Sequence, residues 1–334
     1  MLAINFNDAL EFVSKEGEMK SLSIKSWEGL LLIVFLVGWS LSGCATGKWG
    51  FIDKDEKIAV KQQFDDATPF GEGLAGVKVG SKWGYIDKTG KMIIEPQFDA
   101  VWRFHEGLAA VMTGGKWGYI DKTGKFVIQP QFEDASSFFE GLAPLEKGGK
   151  WGYIDKTGKF TIEPQFDYAW VFSDGLAAIK KGGKWGFIDK NGQMAIQPQF
   201  DGVLSFSEGL AAFIQGGKRG FIDKAGKVVI QPKYDYVLSF SEGLAPVKIG
   251  LQWGYIDKSG NVAIQPQFDF AFPFHEEVAP VKYGYKWGYI FKTGQYAIRP
   301  KFEGAYPFHD GLAMVKIGRA TGYIDKTGRY LPVL

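Results

Sequence analysis

Between Lys116 and Asp121 the large apolar side chains alternate, with Trp117 and Tyr119 on one face and Gly118 and Ile120 on the other. A period of two predicts a strand, because a helix would return its apolar positions every three or four residues. Asp121-Lys122-Thr123-Gly124 then interrupts the alternation. An Asp whose carboxylate accepts from the following N–H groups, with Gly free to take positive φ, predicts a hairpin turn. The chain returns through Phe126 to Ile128, and pairing is expected to stop at Pro130, which has no N–H to donate. Gly141-Leu142-Ala143 begins a third strand, which Gly148-Gly149 turns back toward the next Trp. Gly118 presents no side chain, so something is expected to pack close to it.

This pattern repeats. Trp49, Trp83, Trp117, Trp151, Trp185, Arg219, Trp253, Trp287 and Thr321 stand 34 residues apart, with no insertion anywhere. A fixed period of this kind marks an array of supersecondary units. Each unit reads as a three-stranded meander, too small to bury a core of its own, so its neighbours must supply the missing wall. Phe98 and Phe104, Phe132 and Phe138, Phe166 and Phe172 and their later counterparts recur at the same two slots. They predict aromatic wedges between adjacent units, each contributing about 2 kcal/mol or more. The expected fold is all-β: tandem 34-residue three-stranded meanders over 48–334, eight full repeats and a partial ninth, in an open or superhelical array. A closed β-propeller-like ring is the alternative. It is disfavoured because 48–334 is not a whole number of units and because propeller blades normally have four strands.

Composition narrows the function. Lys plus Arg number 39 against 37 Asp plus Glu, and the formal net charge of +2 gives no field that would draw nucleic acid. Aromatic residues make up 16% and Gly numbers 45, which suits short strands and tight turns. A single cysteine rules out an internal disulfide framework. That residue, Cys44, follows an apolar run from Leu30 to Gly43 that is shorter than the roughly 20 residues of a membrane-spanning helix. Lys20 and Lys25 precede the run, so 1–43 reads as a signal peptide. Met19 lies where a leader of ordinary length would start, which would make 1–18 an over-extended start.

Two resemblances follow. Leu41-Ser42-Gly43-Cys44 resembles the bacterial lipobox, which implies lipidation at Cys44, a short tether over 44–47, and anchoring to a membrane through several acyl chains. Ala45 after the cysteine favours sorting to the outer membrane or cell surface, by the same resemblance. Lys-Trp-Gly-Tyr-Ile-Asp-Lys-Thr-Gly-Lys, intact from Lys82, Lys116 and Lys150, resembles the bacterial tryptophan-glycine (WG) repeat family from Lys48 to the C terminus. The family implies β-rich units, often in exported proteins, with no defined biochemical role. Arg219 and Thr321 in place of Trp, Phe291 in place of the turn Asp, and Glu277-Val278 in place of Gly-Leu depart from the pattern.

Candidate chemistry is sparse. Asp87, Asp121, Asp155, Asp189, Asp223 and Asp257 have a sufficient backbone reason to sit before their turns. Glu106, Glu140, Asp174, Glu208 and Glu242, each before a Gly, read as solvated turn acids. His275 and His309 stand one period apart beside Glu276 and Asp310, but two imidazoles fall short of a defined metal shell. No metal, cofactor or catalytic site is expected. Two slots vary between otherwise identical units, and their aromatic members form a candidate binding face: Trp102, Tyr168, Trp170, Tyr236, Phe270, Phe272 and Tyr306. The competing reading has them as packing residues at each junction. The expected function is a non-enzymatic surface or periplasmic lipoprotein that scaffolds an envelope protein, with a carbohydrate or cell-wall binding module as the alternative.

Overall fold

The computed structural model describes residues 2–4, 48–52, 58–318 and 320–332; the apolar leader run and Cys44 lie outside them. Regular structure among the described residues is all strand, gathered into nine small antiparallel sheets. Blade 2 shows the plan, with Asp66–Ala67, Leu74–Val79, Lys82–Asp87 and Met92–Phe98 side by side in chain order. Most blades therefore have four strands where three were expected. The additional first strand is only two residues long, as in Ala100–Val101 of blade 3, and its partner Val111–Met112 lies well downstream. Blade 4 alone among blades 2 to 9 keeps three, Ala143–Lys147, Lys150–Ile154 and Phe160–Phe166.

The blade is also out of phase with the Trp-to-Trp unit. Each unit gives its first half to one blade and its second half to the next, crossing over at Asp99, Asp167, Asp201 and their equivalents. The blades are arranged as a nine-bladed β-propeller, so the ring, not the open array, is the architecture. Counting repeats argued against closure because blade 1 takes only Trp49–Ile52 and Ile58–Phe64 from the array; its remaining strand is Leu2–Ile4. Curvature brings distant segments together: Arg103 in blade 3 is within electrostatic reach of His309 in blade 9.

The wedges are where the sequence put them. Phe104 of blade 3 lies 4.9 Å, centroid to centroid, from Tyr85 of blade 2, and Phe138, Phe172, Phe240, Phe274 and Phe308 repeat the contact at 4.8–5.0 Å. Both partners of each pair are buried. Where the third strand carries Tyr, its hydroxyl crosses the same seam: Tyr85 donates to the Trp102 carbonyl at 2.7 Å and Tyr119 to that of Ser136 at 2.9 Å. Edge-on aromatic packing plus a satisfied hydroxyl makes each junction both apolar and directional. Burial pushes the Tyr85 and Tyr119 hydroxyls well above their ordinary pKa, so the donor keeps its proton at any physiological pH.

Pro130 does not end its strand. Phe126–Phe132 continues past it, and the register jumps from Tyr119 opposite Ile128 to Trp117 opposite Phe132. The two extra residues form a bulge around the proline, a place in a sheet where a missing N–H is tolerated. The bulge presses on Gly118: a Cβ there would lie 2.5 Å from the Ile128 carbonyl oxygen and 2.7 Å from the Pro130 nitrogen. Trp is therefore followed by Gly because the neighbouring backbone occupies the space of a side chain.

Candidate binding surface

Strand alternation gives the ring two ends. At the turn end lie the Asp-Lys-Thr-Gly turns and the links from first to second strand; at the hairpin end lie the Gly-Gly hairpins and the crossovers between blades. Asp121 performs its expected task, its Oδ1 accepting from the Thr123 amide at 2.9 Å, the Thr123 hydroxyl at 2.6 Å and the Lys125 amide at 3.1 Å. Those bonds, the Thr123 hydroxyl first, hold its carboxyl below the usual range.

The acids read as solvated turn residues do more. Glu106 of blade 3 accepts from the Gly141 amide of blade 4 at 2.9 Å and pairs with Lys156 of the same blade at 3.2 Å. Burial alone would raise its pKa, but the Gly141 and Lys156 contacts outweigh it and the carboxyl is held low. Glu72, Glu140, Glu208, Glu242 and Glu276 make the same clip onto the next blade. Each takes positive φ, between 50° and 53°, a region that costs a non-glycine residue about 1–2 kcal/mol. At the hairpin end Asp99 does the corresponding work, pairing with Lys82 of blade 2 at 2.5 Å and accepting from the Gly114 amide of blade 3 at 2.8 Å. The recurring carboxylates are thus tied up either in closing turns, as Asp121 is, or in joining blades, as Glu106 and Asp99 are.

His275 and His309 do come together, their rings 5.1 Å apart. Burial, then the charge of His275 and that of Arg103, lower the pKa of His309. No group of three or more His, Cys, Asp or Glu among the described residues is placed to hold a metal ion. His105, at the same slot in blade 3, has its Nδ1 2.5 Å from the Phe138 carbonyl, a place that Ser173, Ser207 and Ser241 fill with hydroxyl donors to the equivalent oxygens. This slot is one more inter-blade tie.

The candidate aromatic face divides by blade. Trp170 is buried, 5% exposed, with its ring 5.1 Å from Trp185; Tyr168 is half-buried, 4.8 Å from Trp151. Trp102 is half-buried and stacks on Trp117 at 6.4 Å. The indole N–H groups of Trp102 and Trp170 are both buried with no protein acceptor. Tyr306 is half-buried in blade 9, and its carbonyl accepts from Tyr289. Blades 7 and 8 bring the others into one ladder: Tyr236, Trp253, Phe270 and Trp287 follow at 6.4, 4.9 and 5.9 Å, with Phe272 5.5 Å from Trp287. Tyr236, 49% exposed, is its open end, and the Arg219 guanidinium lies over its ring at 4.4 Å. The cation thus fills the place of the missing Trp by stacking on the same neighbour.

What the sequence reading missed lies beside this ladder. In blades 3 to 6 the hairpin between second and third strands is Gly-Gly, preceded by Thr113, Lys147, Lys181 or Gln215. Blade 7 instead has Ile249-Gly250-Leu251 and blade 8 Tyr283-Gly284-Tyr285, with Leu251 87%, Tyr283 58% and Tyr285 94% exposed. The Gly284 amide bonds Asp269 at 2.6 Å, which fastens the blade 8 hairpin beside the crossover that carries Phe270. Ile317 of blade 9 and Val79 of blade 2 are exposed at the equivalent position. One arc of the hairpin end is therefore apolar and aromatic, while the opposite arc is glycine, lysine and small polar residues. Loss of the second glycine was the sequence signal that could have marked it.

The family described as WG containing repeat matches residues 49–83, 83–117, 117–151, 151–185, 185–218, 220–250, 253–287 and 287–319. No curated protein matches the chain. Among solved structures, the crystal structure of a eukaryotic initiation factor is similar at a TM-score of 0.61 and 10% identity, over 84% of this chain and 92% of that one. BamB from Moraxella catarrhalis gives 0.45 at 11% identity, over 83% and 93%, and apo AztD from Citrobacter koseri 0.41 at 11%, over 76% and 90%. The first likeness concerns the fold alone.

Proposed function

Starting from a chain that belongs to the WG-containing repeat family, we propose that it is a non-enzymatic scaffold, lipid-anchored at Cys44 on the outer membrane or cell surface, that binds an envelope protein through the apolar arc of blades 7 and 8. One observation carries the reading: Leu251 and Tyr285 stand almost wholly in solvent at hairpin tips where blades 3 to 6 have glycine. An exposed apolar cluster confined to one arc of an otherwise polar rim is the signature of a docking surface. Aromatic side chains of this kind supply large contact area at small entropic cost. That the recurring carboxylates are committed to turn and inter-blade bonds supports a role without catalysis.

The test restores the hairpin of blades 3 to 6. Leu251→Gly with Tyr285→Gly recreates the Gly-Gly hairpin, so the ring should keep its melting temperature while cross-linked partner is lost from envelope preparations; unchanged capture would sink the reading. Exposed Tyr236, Tyr283 and Tyr285 would also suit sugar rings, and this favours a second reading as a cell-wall or glycan binder. Co-sedimentation with purified peptidoglycan that the same double substitution abolishes would establish the second reading in place of the first. Anchoring is tested separately, by fatty-acid labelling that must disappear in Cys44→Ala.

A further inference from the structure

Blade 1 is completed by three residues that do not belong to the repeat. Leu2–Ile4 lie antiparallel to Trp49–Ile52, with Leu2 opposite Ile52, Ala3 opposite Phe51 and Ile4 opposite Gly50. In blade 2, Ala75, Gly76 and Val77 stand opposite Ile86, Tyr85 and Gly84, the counterparts of those three residues one repeat later. Leu2–Ile4 therefore take the place of the second strand in the repeat's own register. Among the described residues nothing of the array itself stands on that side of Trp49–Ile52.

The other blades define what this place accepts. Its first position holds Ala75, Ala109, Ala143 and their counterparts, and its third holds Val77, Val111, Leu145, Ile179, Phe213, Val247, Val281 and Val315, all buried to 1% exposure or less. The position between them is Gly, Ala, Pro or Met. Without an occupant, Trp49–Ile52 would present a row of unpaired N–H and C=O groups beside the apolar seam formed by Phe51, Val60 and Phe64 with Ala75, Val77 and Ile86 of blade 2. Such an edge is a template for another strand.

We propose that blade 1 is a strand-acceptor site: it takes an extended segment of a partner protein, antiparallel to Trp49–Ile52, with apolar residues at alternate positions. Leu2–Ile4 is its resident occupant in the full chain. Cleavage before Cys44, which rests on the lipoprotein reading above, removes that occupant and opens the edge. Main-chain pairing would supply the affinity and the two alternating apolar positions the selectivity, as in other cases of strand addition. Trp49 follows Cys44 by five residues, so the open edge would lie within roughly 17 Å of the lipid. A partner strand docked there would be held at the membrane surface.

The experiment uses the full chain and a fluorescent peptide of residues 1–8 as probe. The unaltered chain, its site filled, should bind the peptide at least tenfold more weakly than Ile4→Pro or Ile4→Asp, and a peptide carrying Ile4→Asp should bind none of them. Hydrogen exchange provides a readout that needs no substitution: the amides of Gly50 and Ile52, which face Leu2–Ile4, should exchange as slowly as those of Gly84 and Ile86. They should exchange tenfold or more faster in Ile4→Asp and slow again when peptide is added. Equal peptide binding by all chains, binding by none, or fast exchange at Ile52 in the unaltered chain would overturn the proposal. Fatty-acid labelling reports processing on its own, so a chain that fills this edge with peptide but takes no lipid fails only the anchoring reading.

Discussion

Gly118→Ala isolates the reason for the Trp-Gly pair. The added Cβ would meet the Ile128 carbonyl oxygen at 2.5 Å, the Pro130 nitrogen at 2.7 Å and the Gln129 carbonyl carbon at 2.9 Å. All three are backbone atoms, fixed between the Trp117–Phe132 and Tyr119–Ile128 pairs. Ordinary contact would require the bulge to retreat by most of an ångström, and overpacking that moves backbone costs about 3 kcal/mol or more. Loss of unfolded-chain freedom returns about 0.4–1 kcal/mol, leaving a net cost near 2–3 kcal/mol. Two controls separate this clash from the general effect of the substitution. Gly107→Ala meets nothing within 4 Å but must hold φ at 87°, a cost of about 1–2 kcal/mol. Gly322→Ala, at the same motif position in blade 9, has as its three nearest neighbours atoms at the far end of the Tyr330 side chain, which can swing aside where backbone cannot, so its cost should fall below about 1 kcal/mol. Urea unfolding followed by tryptophan fluorescence should rank the three as Gly118, Gly107, Gly322 from most to least damaging. If Gly118→Ala proved as mild as Gly322→Ala, the close approach of the bulge would not be what excludes a side chain after Trp.

The other predictions concern the ties between blades. Glu140 accepts from the Gly175 amide at 3.0 Å and pairs with Lys190 at 3.1 Å while holding φ at 53°; Glu140→Ala loses the clip but keeps the strain and should cost about 1–2 kcal/mol, with Glu140→Gly milder, as read by melting temperature. The carboxyls of Asp99, held low by Lys82 and Gly114, and of Asp167 and Asp201, held low first by Lys150 and Lys184, bind protons more readily unfolded than folded. Their stabilisation is complete above the ordinary carboxylate range and is lost as pH falls through their folded values, so the melting temperature should be flat from pH 7 to about 5 and drop below about 4. A melting temperature that rises on acidification would contradict the clips. Arg219→Ala should cost about 0.5–1 kcal/mol through the lost stack on Tyr236, whereas Arg219→Trp, which restores the repeat, should be neutral or better in the same melting assay.

Strands, turns and wedges could be read from the chain because their causes are local or recur every period. Trp117 and Tyr119 alternate, Asp121 bonds residues two and four away, and the Phe138 wedge returns in register. The features that could not be read depend on residues further off. Ala100–Val101 was missed because two residues are too short to show alternation: its second slot stays small and buried, as in Val101, Ala169, Val203 and Val237, but its first varies freely. Glu106 looks like a surface acid until Gly141 and Lys156, 35 and 50 residues away, come beside it. Pro130 argued for a strand end because nothing in the local sequence announces a bulge. Closure was missed because blade 1 borrows Leu2–Ile4 from outside the repeat. Among the aromatic slots, chemistry alone could not tell the buried Trp170 from the exposed Tyr236, since both suit a junction and only the packing of each blade decides.

Ring closure is tested most directly by one distance. Lys88 of blade 2 and Lys326 of blade 9 occupy equivalent turns seven periods apart. With Cys44→Ser as background, spin labels at Lys88→Cys and Lys326→Cys can be measured by pulsed electron resonance. Blades 2 and 9 are two steps apart around a nine-bladed ring, so at about 10 Å per sheet the account predicts a narrow distribution near 20–30 Å. Seven steps along an open array would place the labels on the order of 70 Å apart, and a distribution centred there would contradict the ring.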